Sequence, residues 1–282
     1  MEHRIIVPKE QLQGFMRSGA MNHQYGIQVF LSVDKEKAQA LLPPPLKVAG
    51  SGMGYIYIVN IREPTFAPWY MEGGIGIMAE FEGVVALHFL GLQLSGPGAL
   101  MGMCSGREGS GLPKKLCERI RVERLGNLGR CFIERGGARL VDVELEMGQY
   151  NDPAMAGMAA AQEKCSREHP VTTEGGCLLF RHRLEKTGFG DLKMTHYDSP
   201  TRFYSWEPAT AKVALASTAD DPWNDIPVTG VLGAGWMVSD NWVRSQRTLY
   251  TYPDSEVMDV MQYLFSGRYD RCTLCGEHQV YE

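Results

Sequence analysis

Two adjacent lysines, Lys114 and Lys115, follow a proline and a loop with three glycines in the run Gly106-Arg107-Glu108-Gly109-Ser110-Gly111-Leu112-Pro113. A lysine pair suits a solvated surface, and that reading needs no chemistry. The neighbours point elsewhere. Met101, Met103 and Cys104 precede the pair, and Leu112 and Leu116 bracket it. An ammonium among apolar groups is costly to keep charged, and the free amine it tends toward is a nucleophile that condenses with carbonyl carbons to form an imine. The chemistry to look for is therefore Schiff-base chemistry on a ketone or aldehyde.

The elements that would hold such a lysine are mostly strands. Ile27, Val29, Leu31 and Val33 alternate with polar or larger residues, and Asp34 then caps a short helix that ends at Pro43-Pro44-Pro45. Gly50 to Gly54 lead into a strand from Tyr55 to Ile61. A phosphate loop should follow a strand and open a helix, so these glycines make a turn and no dinucleotide site. Runs at 75–81 and 84–92 meet at Glu82-Gly83 as a hairpin, and 119–123, 131–134 and 139–147 continue the β pattern. Val141, Val143 and Leu145 alternate with Asp142, Glu144 and Glu146, one dry face and one wet. Asp152-Pro153 reads as the start of an Ala/Met-rich helix to about Glu168. Further strands are expected at 176–184, 192–195, 203–206 and 212–217, and then to Tyr252. Pro253-Asp254 opens an amphipathic helix carrying Val257, Val260, Met261 and Leu264 on one side.

Composition narrows the classes. A chain of 282 residues, 44% hydrophobic, can build one large core without a linker or repeat. Its 32 glycines exceed the ~7% average share and fit many tight turns. A net charge of −5 argues against nucleic acid as a partner. No uninterrupted apolar run is long enough for a membrane helix, and the N-terminus lacks a signal-peptide core. Seven scattered cysteines suit reduced thiols in a cytoplasm. Cys272-Thr273-Leu274-Cys275 with His278 is half a zinc site at most, so no metal is expected.

The lysine segment, with Gly106-Arg107-Glu108 six positions ahead of Lys114-Lys115-Leu116, resembles the active site of the acetoacetate decarboxylase superfamily. The strand, capped helix and Pro-x-Pro-Leu near residue 45, Tyr70-Met71-Glu72-Gly73-Gly74, and Asn224-Asp225-Ile226-Pro227-Val228 resemble further family elements. The likeness spans about residues 20–265 of a single domain covering 1–282, with 266–282 as a tail. It implies an α+β fold: a mostly antiparallel, curved sheet forming a cone-like barrel, with few flanking helices. It implies Lys114 as the Schiff-base nucleophile, Lys115 as the neighbour that helps keep it deprotonated, and Glu72 facing the imine. At about 8 Å and an effective dielectric of 20, Lys115 would contribute roughly 2 kcal/mol of repulsion, so desolvation must add at least as much. Tyr70, Tyr57, Gln24 and Arg107 are the candidate substrate contacts. Gln24 and Tyr57 stand where decarboxylases of the family carry an arginine and a second glutamate, which leaves substrate and reaction open. The resemblance implies a lyase acting on a small keto acid, foremost a decarboxylase of acetoacetate or a related β-keto acid. The alternatives are a pyruvate-dependent aldolase–dehydratase using the same lysine, and a keto-acid-binding protein without turnover. No cofactor is needed, because the imine is itself the electron sink. A homo-oligomer in the cytoplasm is expected, with a small-molecule substrate and no membrane or nucleic-acid partner.

Overall fold

A computed structural model describes residues 5–16, 19–186 and 188–271. Helix α1 (Lys9–Met16) leads into strand β1 (Ala20–Val33). Asp34 then caps α2 (Lys35–Gln39), its carboxylate accepting from the Lys37 backbone N–H. The strands β2 (Lys47–Val48), β3 (Met53–Pro64), β4 (Tyr70–Phe81) and β5 (Val84–Ser95) follow. A short helix, α3 (Ala99–Cys104), winds into a π-turn over Ser105–Ser110 and delivers β6 (Lys114–Leu116). Then come β7 (Arg119–Leu125), β8 (Leu128–Arg135), β9 (Ala138–Met147), α4 (Met155–Ala159), β10 (Val171–Thr173), β11 (Gly176–Glu185), β12 (Gly188–Asp198), β13 (Thr201–Leu215), β14 (Val228–Trp242), β15 (Ser245–Thr251) and α5 (Val257–Leu264).

All fifteen strands join one mixed sheet in the order β15-β12-β11-β5-β4-β3-β1-β14-β13-β9-β8-β7, with β10, β2 and β6 attached at β13, β4 and β5. The architecture is the mostly antiparallel α+β class that was expected, with one difference. The sheet does not close into a barrel, because β15 and β7 are free ends of the hydrogen-bonded path. It folds back on itself instead. Ile120, Cys131, Ile133 and Val143 from the β7–β9 end meet Ile27, Val29, Ile56, Ile58 and Ile75 in one buried cluster. That packing closes the core without strand pairing, and residues 20 to 33 cross its centre.

Among the described residues, only β5–β6 and β5–β11 are parallel pairings. Both meet at β5, beside the lysines. The expected long helix after Pro153 is reduced to α4 and a single 3-10 turn over Gln162–Lys164. Met155 and Ala159 are buried while Met158 is exposed, so the segment has too little apolar face for more turns. In α5 the four expected residues, Val257, Val260, Met261 and Leu264, are the buried ones. Among the described residues no helix is long and apolar enough to cross a membrane. The Cys272–Cys275 motif lies outside the described residues.

A candidate active site centred on Lys114

The lysine strand is only three residues long, and its geometry is imposed from both ends. Upstream, the π-turn ends at Gly111 with φ +84°, where an added Cβ would sit 2.3 Å from the Phe180 carbonyl oxygen. Only glycine fits there. The Arg268 guanidinium donates to the Gly111 oxygen at 2.6 Å and to the Phe180 oxygen at 2.7 Å, tying the turn to β11. Pro113 opens the strand, where its missing N–H is not needed, while its carbonyl accepts from Leu92 N–H at 2.8 Å. Lys114 and Lys115 then pair with Leu92 and Gln93. Successive side chains on a strand point to opposite faces, so the two lysines enter different surroundings.

Lys114 enters a cavity of about 1100 Å3. The residue is 3% exposed, and its Nζ lies 2.6 Å from Oε2 of Glu72, also 3% exposed. The contact is a close ion pair whose angles are not those of a hydrogen bond. The other oxygen, Oε1, accepts a short hydrogen bond from the Tyr57 hydroxyl. The sheet register brings this triad together. Glu72 sits opposite Val59 on β3 and Leu94 on β5, while Tyr57 sits opposite Gly74. Tyr57 is thus a diagonal neighbour of Glu72 on the same face. Burial, reinforced by the charge of Glu72, holds the Tyr57 phenol well above its usual range, so it stays protonated.

The lysine has a fitted bed. A Cβ on Gly106 would stand 2.7 Å from both Cδ and Cε of Lys114, so the π-turn packs its bare backbone against the side chain. The Gly102 carbonyl lies 3.5 Å from Nζ. Leu92, Leu112, Phe89, Tyr55 and Cys177 supply much of the apolar wall, and burial pushes the Cys177 thiol up to about 12. The apolar company expected for the lysine is real but differently composed. Leu112 lines the cavity, whereas Met101, Cys104 and Leu116 are exposed.

Lys115 turns to the opposite face. It is 3% exposed, with Nζ 2.7 Å from Asp221 Oδ1, 3.3 Å from Asp270 Oδ1 and 2.9 Å from the Asp220 carbonyl. Arg135 grips the same two carboxylates, and Gln93 donates to Asp221 at 2.9 Å. Two cations face two carboxylates, so the repulsion expected from Lys115 toward Lys114 is largely matched locally. The nearest groups to the Lys114 amine are Glu72 and the Gly102 carbonyl, while the Lys115 amine points to its own carboxylates.

Of the remaining candidates, Gln24 lines the cavity from β1, as does Gln28. Tyr70 is fully buried outside the cavity lining, packed against Gly102 and Phe66, with no hydrogen-bond partner for its hydroxyl. Arg107 also stays out of the lining. Its guanidinium pairs with Glu108, donates to the carbonyls of Lys114 and Arg268, and lies over the Tyr269 ring. It braces the lysine turn. Sequence reading missed Arg135, Asp221, Asp270 and Arg268. Their contacts to the lysine segment span from 19 to 161 residues, and no local motif marks them. Among the described residues no group of His, Cys, Asp and Glu is placed to hold a metal ion.

A buried amine in contact with a buried carboxylate lines one cavity of an open, folded-over sheet. The chain belongs to the acetoacetate decarboxylase family, whose profile, "Acetoacetate decarboxylase (ADC)", matches residues 7–253. It is similar to a CLA biosynthesis isomerase of Lactiplantibacillus plantarum, 28% identical over 272 residues that cover 94% of each chain. Its fold resembles the acetoacetate decarboxylase of Legionella pneumophila, with a TM-score of 0.67 at 14% identity over 83% of this chain and 87% of that one. It also resembles the enduracididine biosynthesis enzyme MppR complexed with pyruvate, with a TM-score of 0.64 at 13% identity over 89% and 95% of the two chains.

Proposed function

We propose that the protein is an enzyme in which Lys114 forms an imine with a ketone and Glu72 moves protons at the carbon beside it. The single observation that carries this reading is the 2.6 Å contact of the Lys114 amine with a buried carboxylate inside a cavity of about 1100 Å3. Glu72 can take the ammonium proton, which frees the nitrogen to attack the carbonyl carbon. Loss of water gives the iminium, and the same carboxylate can then remove a proton from the adjacent carbon to give an enamine.

The substrate favoured is a ketone with an apolar arm and a double bond near the carbonyl, and the reaction favoured is movement of that double bond. The cavity wall supports the apolar arm. Besides Lys114, the lining carries Arg244 and His196, and Arg244 is already held by Asp198 and Glu174. Gln24 is neutral, so among the described residues no second cation waits beside the lysine for a substrate carboxylate. The similarity to an isomerase over nearly the whole chain supports the same choice.

A second reading is decarboxylation of a β-keto acid, supported by the family match and by the apolar side chains near the lysine. An apolar surrounding favours turning a charged carboxylate into neutral CO2. Five described cysteines are free thiols, and we place the protein in the cytoplasm on that ground. The test offers acetoacetate, pyruvate with an aldehyde, and a β,γ-unsaturated ketone, following CO2, aldol product and conjugated ketone. Faster conversion of the unsaturated ketone is expected. Dominant CO2 release establishes decarboxylation, dominant aldol product the pyruvate reaction, and adducts without turnover a binding protein.

A further inference from the structure

The Tyr57 hydroxyl is bound to the oxygen of Glu72 that Lys114 does not touch. Nζ of Lys114 lies 2.6 Å from Oε2, while Tyr57 donates to Oε1. One carboxylate therefore has an amine on one oxygen and a phenol on the other, and all three side chains line the cavity. The phenol is held in place. Its ring stacks on Tyr55 with centroids 6.3 Å apart and meets Phe89 edge-on at 5.6 Å. Burial and the neighbouring carboxylate keep it protonated, which makes it a donor at rest.

We infer that Tyr57 is a catalytic acid that protonates the carbon two bonds beyond the one deprotonated by Glu72, so that the pair moves a hydrogen from one end of an allylic unit to the other. The inference rests on the Lys114 imine reading and specifies how its proton transfers are divided. In the iminium of a β,γ-unsaturated ketone, the α carbon adjoins the imine carbon and so lies beside Oε2. Glu72 takes the α proton, and the C–H electron pair becomes a new double bond that neutralises the nitrogen as a dienamine. The Tyr57 hydroxyl gives its proton to the γ carbon, and the electrons return to the nitrogen as a conjugated iminium. A half-turn of the Glu72 carboxyl group presents its new proton to the phenolate, which restores both groups. Water releases the α,β-unsaturated ketone. One hydrogen has moved and nothing has been oxidised or reduced.

The experiment uses the full chain in D2O with non-4-en-2-one, following deuterium at C3 and C5 by NMR alongside borohydride trapping of the imine. The wild-type protein is expected to give non-3-en-2-one deuterated at C5. Tyr57→Phe should still form the adduct and exchange C3, while C5 deuteration falls at least ~100-fold, as general acids contribute about 10²–10⁴. Tyr57→Gln keeps a hydrogen-bond donor to Glu72 without an acid, so it should behave like Tyr57→Phe. C5 deuteration at the wild-type rate in Tyr57→Phe, or its recovery in Tyr57→Gln, would overturn the relay, the second by making Tyr57 a positioning group. Equal loss at C3 and C5 in both variants would overturn it in the same way. A wild-type protein that forms no adduct removes the Lys114 reading itself, and the relay with it.

Discussion

The two lysines are consecutive in the chain and end in opposite kinds of interior. Lys114 faces a cavity where one carboxylate is its only charged contact within salt-bridge range among the described residues. Lys115 faces a polar knot in which Asp221, Asp270, Arg135 and Gln93 surround it. The alternation of a three-residue strand separates them, and the comparison teaches that adjacency in sequence is not electrostatic adjacency. A neighbouring positive charge acts through space, and here two carboxylates stand against it on the far face of the strand. One side of β6 presents an amine to the cavity and the other ties the strand to Asp221 and Asp270.

The largest effect is expected on the structural side. Asp221 is 1% exposed and serves Lys115, Arg135 and Gln93 together. Asp221→Ala leaves the buried Lys115 and the half-buried Arg135 with one carboxylate, and breaking such a set costs about 3–5 kcal/mol. Urea unfolding measures it. A loss below ~1 kcal/mol would show that the knot is solvated.

Next in size is the pH dependence of stability, which sharpens the comparison with a third buried group. His88 Nδ1 donates to the Leu178 carbonyl at 3.0 Å, and burial, helped by the Arg268 charge, pushes its imidazole down to about 4. In the unfolded chain the imidazole takes a proton near pH 6.5. Between those values the unfolded state binds more protons, so stability is full above about 6.5 and falls as pH drops toward 4, by about 3 kcal/mol at most. His88→Gln should flatten that fall. An unchanged slope would assign the acid sensitivity elsewhere.

Smaller effects separate the two faces of β6. Gly106→Ala places a methyl against the flexible end of Lys114, so the side chain moves rather than the backbone. Imine formation should slow by about 10- to 100-fold, since small misplacements near a reacting atom are costly, while the unfolding midpoint barely moves. Lys115→Met should do the reverse. It removes a charge the knot needs and lowers stability, yet changes the rate of imine formation by less than about threefold, because little of that charge reaches the cavity. A tenfold change would restore Lys115 as an electrostatic partner of Lys114.

The parts of this arrangement that rest on local rules were legible in the sequence. The Glu82-Gly83 turn pairs Phe81 with Val84, Asp34 caps its helix, and the apolar stripe of α5 is the buried one. Each depends on residues within a few positions. Lys114 and Glu72 were legible through resemblance, and the register then explains their meeting, since β4 and β6 both pair with β5. The π-turn, the open rather than closed sheet, and the Asp221 knot were not legible. They are set by partners brought from distant strands, and a buried aspartate looks like any surface aspartate until its neighbours are known. Arg107 is the opposite case. It sits in the lysine motif, yet its guanidinium holds carbonyls outside the cavity.

Borohydride reduction in the presence of a ketone, followed by peptide mapping, tests the central claim most directly. The claim is that one lysine of the pair, Lys114, is the nucleophile. The account predicts a single covalent adduct, carried on Lys114 and absent from Lys114→Ala, with Lys115 unlabelled. An adduct on Lys115, or one that persists undiminished in Lys114→Ala, would contradict it.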